Sequence, residues 1–225
     1  AAGSAIVRLL LSLGAENIVM VDAMGIMYDG METSALNRIQ LDLLKRTNKD
    51  KIRGNLFDAA QGADVLLGVS RPGLFIPEII QSMNTDNIVF AMANPIPETS
   101  YDAAKDAGAR VVGTGRSDSP NQVNNVLVFP GLFRGAIDVR ARKINEAMKR
   151  AAVHAIAELI PEEELREDYI IPGVFDPNVA PAVAAAVAKA AMDTGVARVS
   201  VDPEEIRRRT MERTAKLREF IKTMP

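Results

Sequence analysis

Three asparagines stand in short polar segments that follow apolar runs. Asn94 lies in Met92-Ala93-Asn94-Pro95, and Asn124 and Asn125 lie in Asn121-Gln122-Val123-Asn124-Asn125. A side-chain amide offers two donors and one two-lone-pair acceptor without carrying charge. It can hold a carboxamide or a carboxylate without adding a charge that would oppose the departure of a hydride. Pro95 holds the backbone of Asn94 extended, which fixes where its side chain starts. The bland alternative is turn capping, since asparagine favours turns anyway. For one Asn alone capping is the default. The recurrence of such segments favours binding: Ser70-Arg71-Pro72-Gly73 and Thr114-Gly115-Arg116-Ser117-Asp118 also follow apolar runs.

A second constellation lies at the start. The chain opens Ala1-Ala2-Gly3 and runs into an apolar helix, and Asp22 follows 19 residues after Gly3. A loop that cradles a dinucleotide pyrophosphate has three glycines, the third allowing close helix–sheet packing. An acid about 20 residues on takes the ribose hydroxyls. Gly3 fits the third glycine and Asp22 the acid. On that register the first strand and two glycines are expected to precede residue 1. The chain is then expected to be part of a longer protein, because a central strand cannot be omitted without leaving its neighbours' edges unpaired.

The elements that must position these residues alternate. A helix is predicted over 3–13, closed by Gly14, then a strand over Ile18–Val21 ending at Asp22. Helices around Ser34–Arg46, Pro77–Met83 and Tyr101–Ala107 alternate with strands Val65–Val69, Ile88–Ala91 and Val111–Gly113. Continuous apolar runs suit strands covered on both faces, and their alternation with helices implies βαβ crossovers. The fold class is therefore α/β: a doubly wound Rossmann-type parallel sheet with helices on both faces, lacking its first strand, plus C-terminal helices. One long helix is predicted over Asp138–Ile160, and an alanine-rich helix ends near Thr194. From Pro203 a charged helical tail follows, either an arm for another domain or a solvated helix. The domain reading is 1–195 for the nucleotide-binding body and 196–225 for the tail. Ligands in such sheets bind beyond the carboxyl ends of the strands, where the polar segments fall.

Composition excludes several classes. Lys and Arg total 27 against 29 for Asp and Glu, so no basic face is implied and no nucleic acid partner is expected. There are no cysteines, which removes disulfides and thiolate metal sites. The most apolar-looking run, 179–191, is mostly alanine, carries Lys189 and is shorter than the roughly 20 residues of a membrane span. No signal peptide pattern opens the chain, and a cytoplasmic location is the default.

Four segments, in order and spacing, carry a family resemblance: VSRPG at 69–73, FAMANPIPE at 90–98, TGRSDSPNQVNNVLVFPGLFRGA at 114–136 and IIPGVFDPNVAPAVAAAVAKAA at 170–191. They resemble the malic enzymes of the compact microbial type, through about residue 195. The resemblance implies oxidative decarboxylation of malate to pyruvate and CO2, with NAD(P) as hydride acceptor, a divalent Mg or Mn ion, and a homodimer. It implies that Ala1, Ala2 and Gly3 border the pyrophosphate, that Asp22 faces the adenosine ribose and that Ser70 lines the cofactor cleft. Asn94 would lie between nicotinamide and substrate, and Asn124 or Asn125 would bind the malate carboxylate. The family's catalytic Tyr and Lys and its acidic metal ligands belong to an N-terminal half that these residues do not contain. No catalytic residue or metal ligand is therefore assigned here, Lys105, Tyr101 and Asp118 included, and these 225 residues alone are expected to bind nucleotide poorly and catalyse nothing. Asp22 favours NAD over NADP by repelling a 2′-phosphate, although Lys45 or Arg46 could offset it.

Other eye-catching residues have plainer readings. His154 has no His or Cys partner and is expected on a helix surface or at the edge of the core. Glu162–Glu164 follow Pro161 as acids at a helix start. Arg207–Arg209 are flanked by Glu204, Glu205 and Glu212 and are expected to pair along a helix. Met24, Met27 and Met31 are expected to pack. Two other functions compete: a nucleotide-binding module without chemistry, and another small-acid dehydrogenase.

Overall fold

The computed structural model describes residues 2–222. The chain divides between Pro120 and Asn121 into two compact units.

In the first unit, β3 (Val65–Gly68), β4 (Ile88–Ala91) and β5 (Val111–Thr114) form a parallel sheet in the order β3-β4-β5. The registers pair Val65 with Ile88 and Ile88 with Val111. The central strand is the most apolar, and its Val89 and Ala91 are fully buried. Around them Leu66, Val112, Phe75, Ile79 and Ile80 form the core with the helices α3 (Leu56–Ala60), α4 (Pro77–Gln81) and α5 (Tyr101–Asp106). Pro at the start of α4 costs no hydrogen bond there, and Ser100 caps α5 by accepting from Ala103 N. This α/β arrangement with a helix-flanked parallel sheet is the class that the alternating pattern predicts.

The segment before it departs from expectation. Ile18–Val21, expected as a strand of the parallel sheet, is not part of it. Only Val21–Asp22 (β1) forms a ladder, antiparallel to Gly25–Ile26 (β2). The reason lies in its backbone partners: Met27 N donates to Met20 O and Asn48 N to Ile18 O, so the run is satisfied locally. Asn48, buried, completes the arrangement, its amide donating to Met27 O and Ile52 O and accepting from Ile52 N. A small core of Val7, Met20, Met27, Leu43 and Leu44 joins this hairpin to α1 (Ala2–Ser12) and α2 (Arg38–Leu44). Helix α2 starts four residues later than predicted because Asn37 and Gln40 form a reciprocal cap. Among the described residues β3 has only β4 beside it, and Val65, Leu67 and Val69 are partly exposed.

The second unit is helical. Helix α8 (Val179–Asp193) runs through its centre with nine buried residues, which explains its alanine and valine content. Around it lie α6 (Phe129–Asp138), α7 (Glu146–Ala157) and α9 (Pro203–Lys222). The single helix predicted over 138–160 is in fact the end of α6, a break and α7. Arg140 takes a left-handed φ of 49°, and Asn145 caps α7 by accepting from Met148 N. The first turns of α9 belong to this core through Ile206, which is fully buried. Farther along, Arg208 and Arg209 pair with Glu205, as their spacing predicts. His154 is exposed on α7, Met27 is buried and Met24 is exposed. Among the described residues no helix is long and apolar enough to cross a membrane.

Candidate cofactor site

The carboxyl ends of β3 and β4 are tied together by one buried carboxylate. Glu98 is fully enclosed. Its Oε1 accepts from Ser70 N at 2.8 Å, just after β3, and its Oε2 accepts from Ala93 N at 2.9 Å, just after β4. Its own carbonyl accepts from Phe75 N. Both carboxylate oxygens are thus spent on backbone donors, which is what a buried acid needs to remain there. Sequence reading passed over Glu98. Its only signal is an acid closing a proline-rich turn, Asn94-Pro95-Ile96-Pro97-Glu98, two residues from a helix cap.

This brace presents the residues beside it. The side chains of Ser70 and Asn94 are exposed and make no hydrogen bond among the described residues, so their polar atoms are available to a ligand. Gly3, in the first turn of α1, sits where an added Cβ would lie 3.6 Å from Val69 Cγ2, so this turn approaches the end of β3. Ala2, the first residue of α1, is exposed, and Ala1 lies outside the described residues. Asp22 ends β1 exposed; its Oδ1 accepts from Met24 N at 2.8 Å in a local turn. After β5, buried Thr114 accepts from Arg116 N, and Arg116 pairs with Asp118. That hydrogen bond holds the Asp118 carboxyl below its ordinary range and raises Arg116, so Asp118 stays ionised near neutrality and is a poor proton carrier.

The two remaining asparagines belong to the second unit and have different surroundings. Asn124 Oδ1 accepts from Val126 N at 3.0 Å, capping the short 3-10 helix Asn125–Leu127. Asn125 is exposed, with no side-chain hydrogen bond among the described residues. Asn121, assigned no role from sequence, is buried and fastens its loop to residues 167–170, donating to Glu167 O and accepting from Ile170 N.

The set fits a nicotinamide dinucleotide in kind. Small or turn-forming residues follow each parallel strand, uncharged side chains are free after two of them, and one exposed acid ends β1. It does not fit a metal ion: among the described residues no three His, Asp or Glu side chains gather.

Comparison with known proteins gives the same answer. Residues 11–192 match the family model described as malic enzyme, NAD binding domain. The chain belongs to this family. The bifunctional malic/malolactic enzyme of Bacillus subtilis is 56% identical over 214 residues, spanning 95% of this chain and 52% of that protein. The NAD-dependent malic enzyme of Geobacillus stearothermophilus is 50% identical over 198 residues, or 88% of this chain and 41% of that protein. Among solved structures, the malic enzyme of Pyrococcus horikoshii matches with a TM-score of 0.87 at 42% identity, over 96% of this chain and 51% of that one. The malic enzyme of Entamoeba histolytica matches at 0.91 and 36% identity, over 97% of this chain and 47% of that one. The chain thus spans about half the length of each of these four relatives.

Proposed function

We propose that this chain is the cofactor-binding part of an enzyme that oxidatively decarboxylates malate to pyruvate and CO2 while reducing NAD(P). The observation that carries the reading is the Glu98 brace, which holds the loops after β3 and β4 and leaves Ser70 and Asn94 free at their tips. A bound nicotinamide would supply the acceptor for the hydride that leaves the hydroxyl-bearing carbon of malate. Asn94 offers an uncharged amide to the carboxamide or the substrate, and Asn125 a second one to a malate carboxylate. Ser70 lines the cleft, the α1 turn with Ala2 and Gly3 borders the pyrophosphate, and exposed Asp22 meets the adenosine ribose. The acid at Asp22 supports NAD over NADP by charge repulsion against a 2′-phosphate. Relatives carry names of both kinds, NAD-dependent in Geobacillus stearothermophilus and NADP-dependent in Halomonas elongata. No step is assigned to a metal on these residues.

The test is malate-dependent reduction of NAD and of NADP by the protein at its full natural length, with Mn present. Turnover with NAD preferred is expected, and Asn94→Ala should lower kcat/KM by about 30- to 1,000-fold, equivalent to about 2–4 kcal/mol of transition-state stabilisation. Absence of malate-dependent reduction with either cofactor overturns the reading; a strong NADP preference overturns the role of Asp22.

A further inference from the structure

Asn121 joins two segments of the second unit, and one of them carries the amide assigned to malate. The residue is 5% exposed, and its backbone takes a left-handed φ of 52°. Asparagine tolerates that conformation better than most residues with a side chain. Its Nδ2 donates to Glu167 O at 2.8 Å, and its Oδ1 accepts from Ile170 N at 2.9 Å. A primary amide presents a donor and an acceptor side by side, so one side chain engages both backbone groups.

The segment it grips is a small hairpin with a frame of its own. Arg166 N donates to Tyr169 O and Tyr169 N to Arg166 O. Ile160 before the hairpin and Pro172 after it are buried, so both of its ends are rooted. The loop on the other side is held at two points. Asn121 is one, and Leu127, buried in the core around α8, is the other. Asn124 and Asn125 lie between these anchors. Asn124 spends its Oδ1 on Val126 N. Asn125 is exposed, with no side-chain hydrogen bond among the described residues. The backbone alone sets where that amide stands, and Asn121 is one of the two fastenings of that backbone.

We propose that Asn121 is a positioning residue for malate, acting through Asn125. The proposal rests on the assignment of Asn125 to a malate carboxylate. A binding group held in place before its ligand arrives avoids the cost of being ordered at binding. Loss of the clamp therefore weakens malate binding, and it touches KM more than kcat because Asn121 meets no reacting atom. None of the residues assigned to the cofactor lies in either segment, so NAD binding is spared.

Steady-state kinetics of the full-length protein with NAD and Mn, run as a double-mutant cycle, test this. Asn121→Gly keeps the left-handed backbone without strain and removes both hydrogen bonds. It is expected to raise KM for malate about ten-fold, with kcat and KM for NAD changed by less than about two-fold. In an Asn125→Ala background the same change should leave KM for malate unaltered, because the amide being positioned is gone. Asn121→Asp is a second variant of nearly the same size. It keeps an acceptor for Ile170 N but loses the donor to Glu167 O, and should raise KM for malate with the same selectivity. A wild-type KM for malate in both variants overturns the proposal. So does an equal effect with and without Asn125, or a parallel loss for malate and NAD. If the unaltered protein reduces no NAD with malate, the assignment of Asn125 fails first and the proposal with it.

Discussion

Gly68 and Glu98 compete for one space at the end of β3: a Cβ on Gly68 would stand 2.4 Å from Glu98 Cδ and 2.7 Å from Phe75 Cζ. The buried carboxylate can reach Ser70 N and Ala93 N only because residue 68 has no side chain. Gly68→Ala is therefore expected to destabilise the protein by about 1–3 kcal/mol, the usual cost of overfilling a packed core. Chemical denaturation measures it, and an unchanged midpoint would mean that Glu98 can step aside without loss.

The same brace makes a prediction about Glu98 itself. In Glu98→Gln one carboxylate oxygen becomes an NH2 that faces a backbone donor, so one of the two loop bonds must break. Leaving a buried donor without its acceptor costs about 1–3 kcal/mol. Hydrogen exchange should locate the damage, with faster exchange at Ser70 N or Ala93 N. Wild-type protection at both amides in Glu98→Gln would remove the brace from the explanation.

In the second unit, the packing of α6 on α8 depends on two glycines one helical turn apart. A Cβ on Gly131 would lie 2.6 Å from Val183 Cβ, and one on Gly135 would lie 2.4 Å from Ala184 O. Backbone cannot yield as a flexible side chain can. Each Gly→Ala change is expected to lower the melting temperature, although alanine is the better helix former by about 1 kcal/mol. A rise in melting temperature would show that α6 sits farther from α8 than described.

Asn124 and Asn125, adjacent in sequence, should separate by assay. Asn124→Ala removes a cap and is expected to cost about 1 kcal/mol of stability. Asn125→Ala removes a free amide and is expected to spare stability while lowering malate turnover. Thermal melts and steady-state kinetics on both variants check the division. The reverse pattern would exchange their roles.

What could be read in advance follows from the range of the forces involved. Strand Ile88–Ala91 is bounded as predicted, because an unbroken apolar run with a strand paired on either side leaves little choice. Ile18–Val21 has a similar composition but a different fate, set by Met27 and Asn48, which lie well beyond it in sequence. The break between α6 and α7 was missed because Asn145 looks like a tolerated helix residue until Met148 N is seen bonded to it. Asn94, Ser70 and Asp22 were legible as polar residues following apolar runs. Glu98 was not, since its partners lie 28 and 5 residues away and both are backbone groups that carry no mark in the sequence.

The most direct measurement uses malate carrying deuterium on the hydroxyl-bearing carbon and 13C in the carboxyl group beyond the methylene, incubated with the full-length protein, NAD and Mn. Equal amounts of deuterated reduced nicotinamide and 13C-labelled CO2 are expected, with unlabelled pyruvate carbon skeleton left behind. Reduced cofactor without labelled CO2 would make the protein a simple dehydrogenase, and the absence of deuterium in the cofactor would contradict hydride transfer altogether.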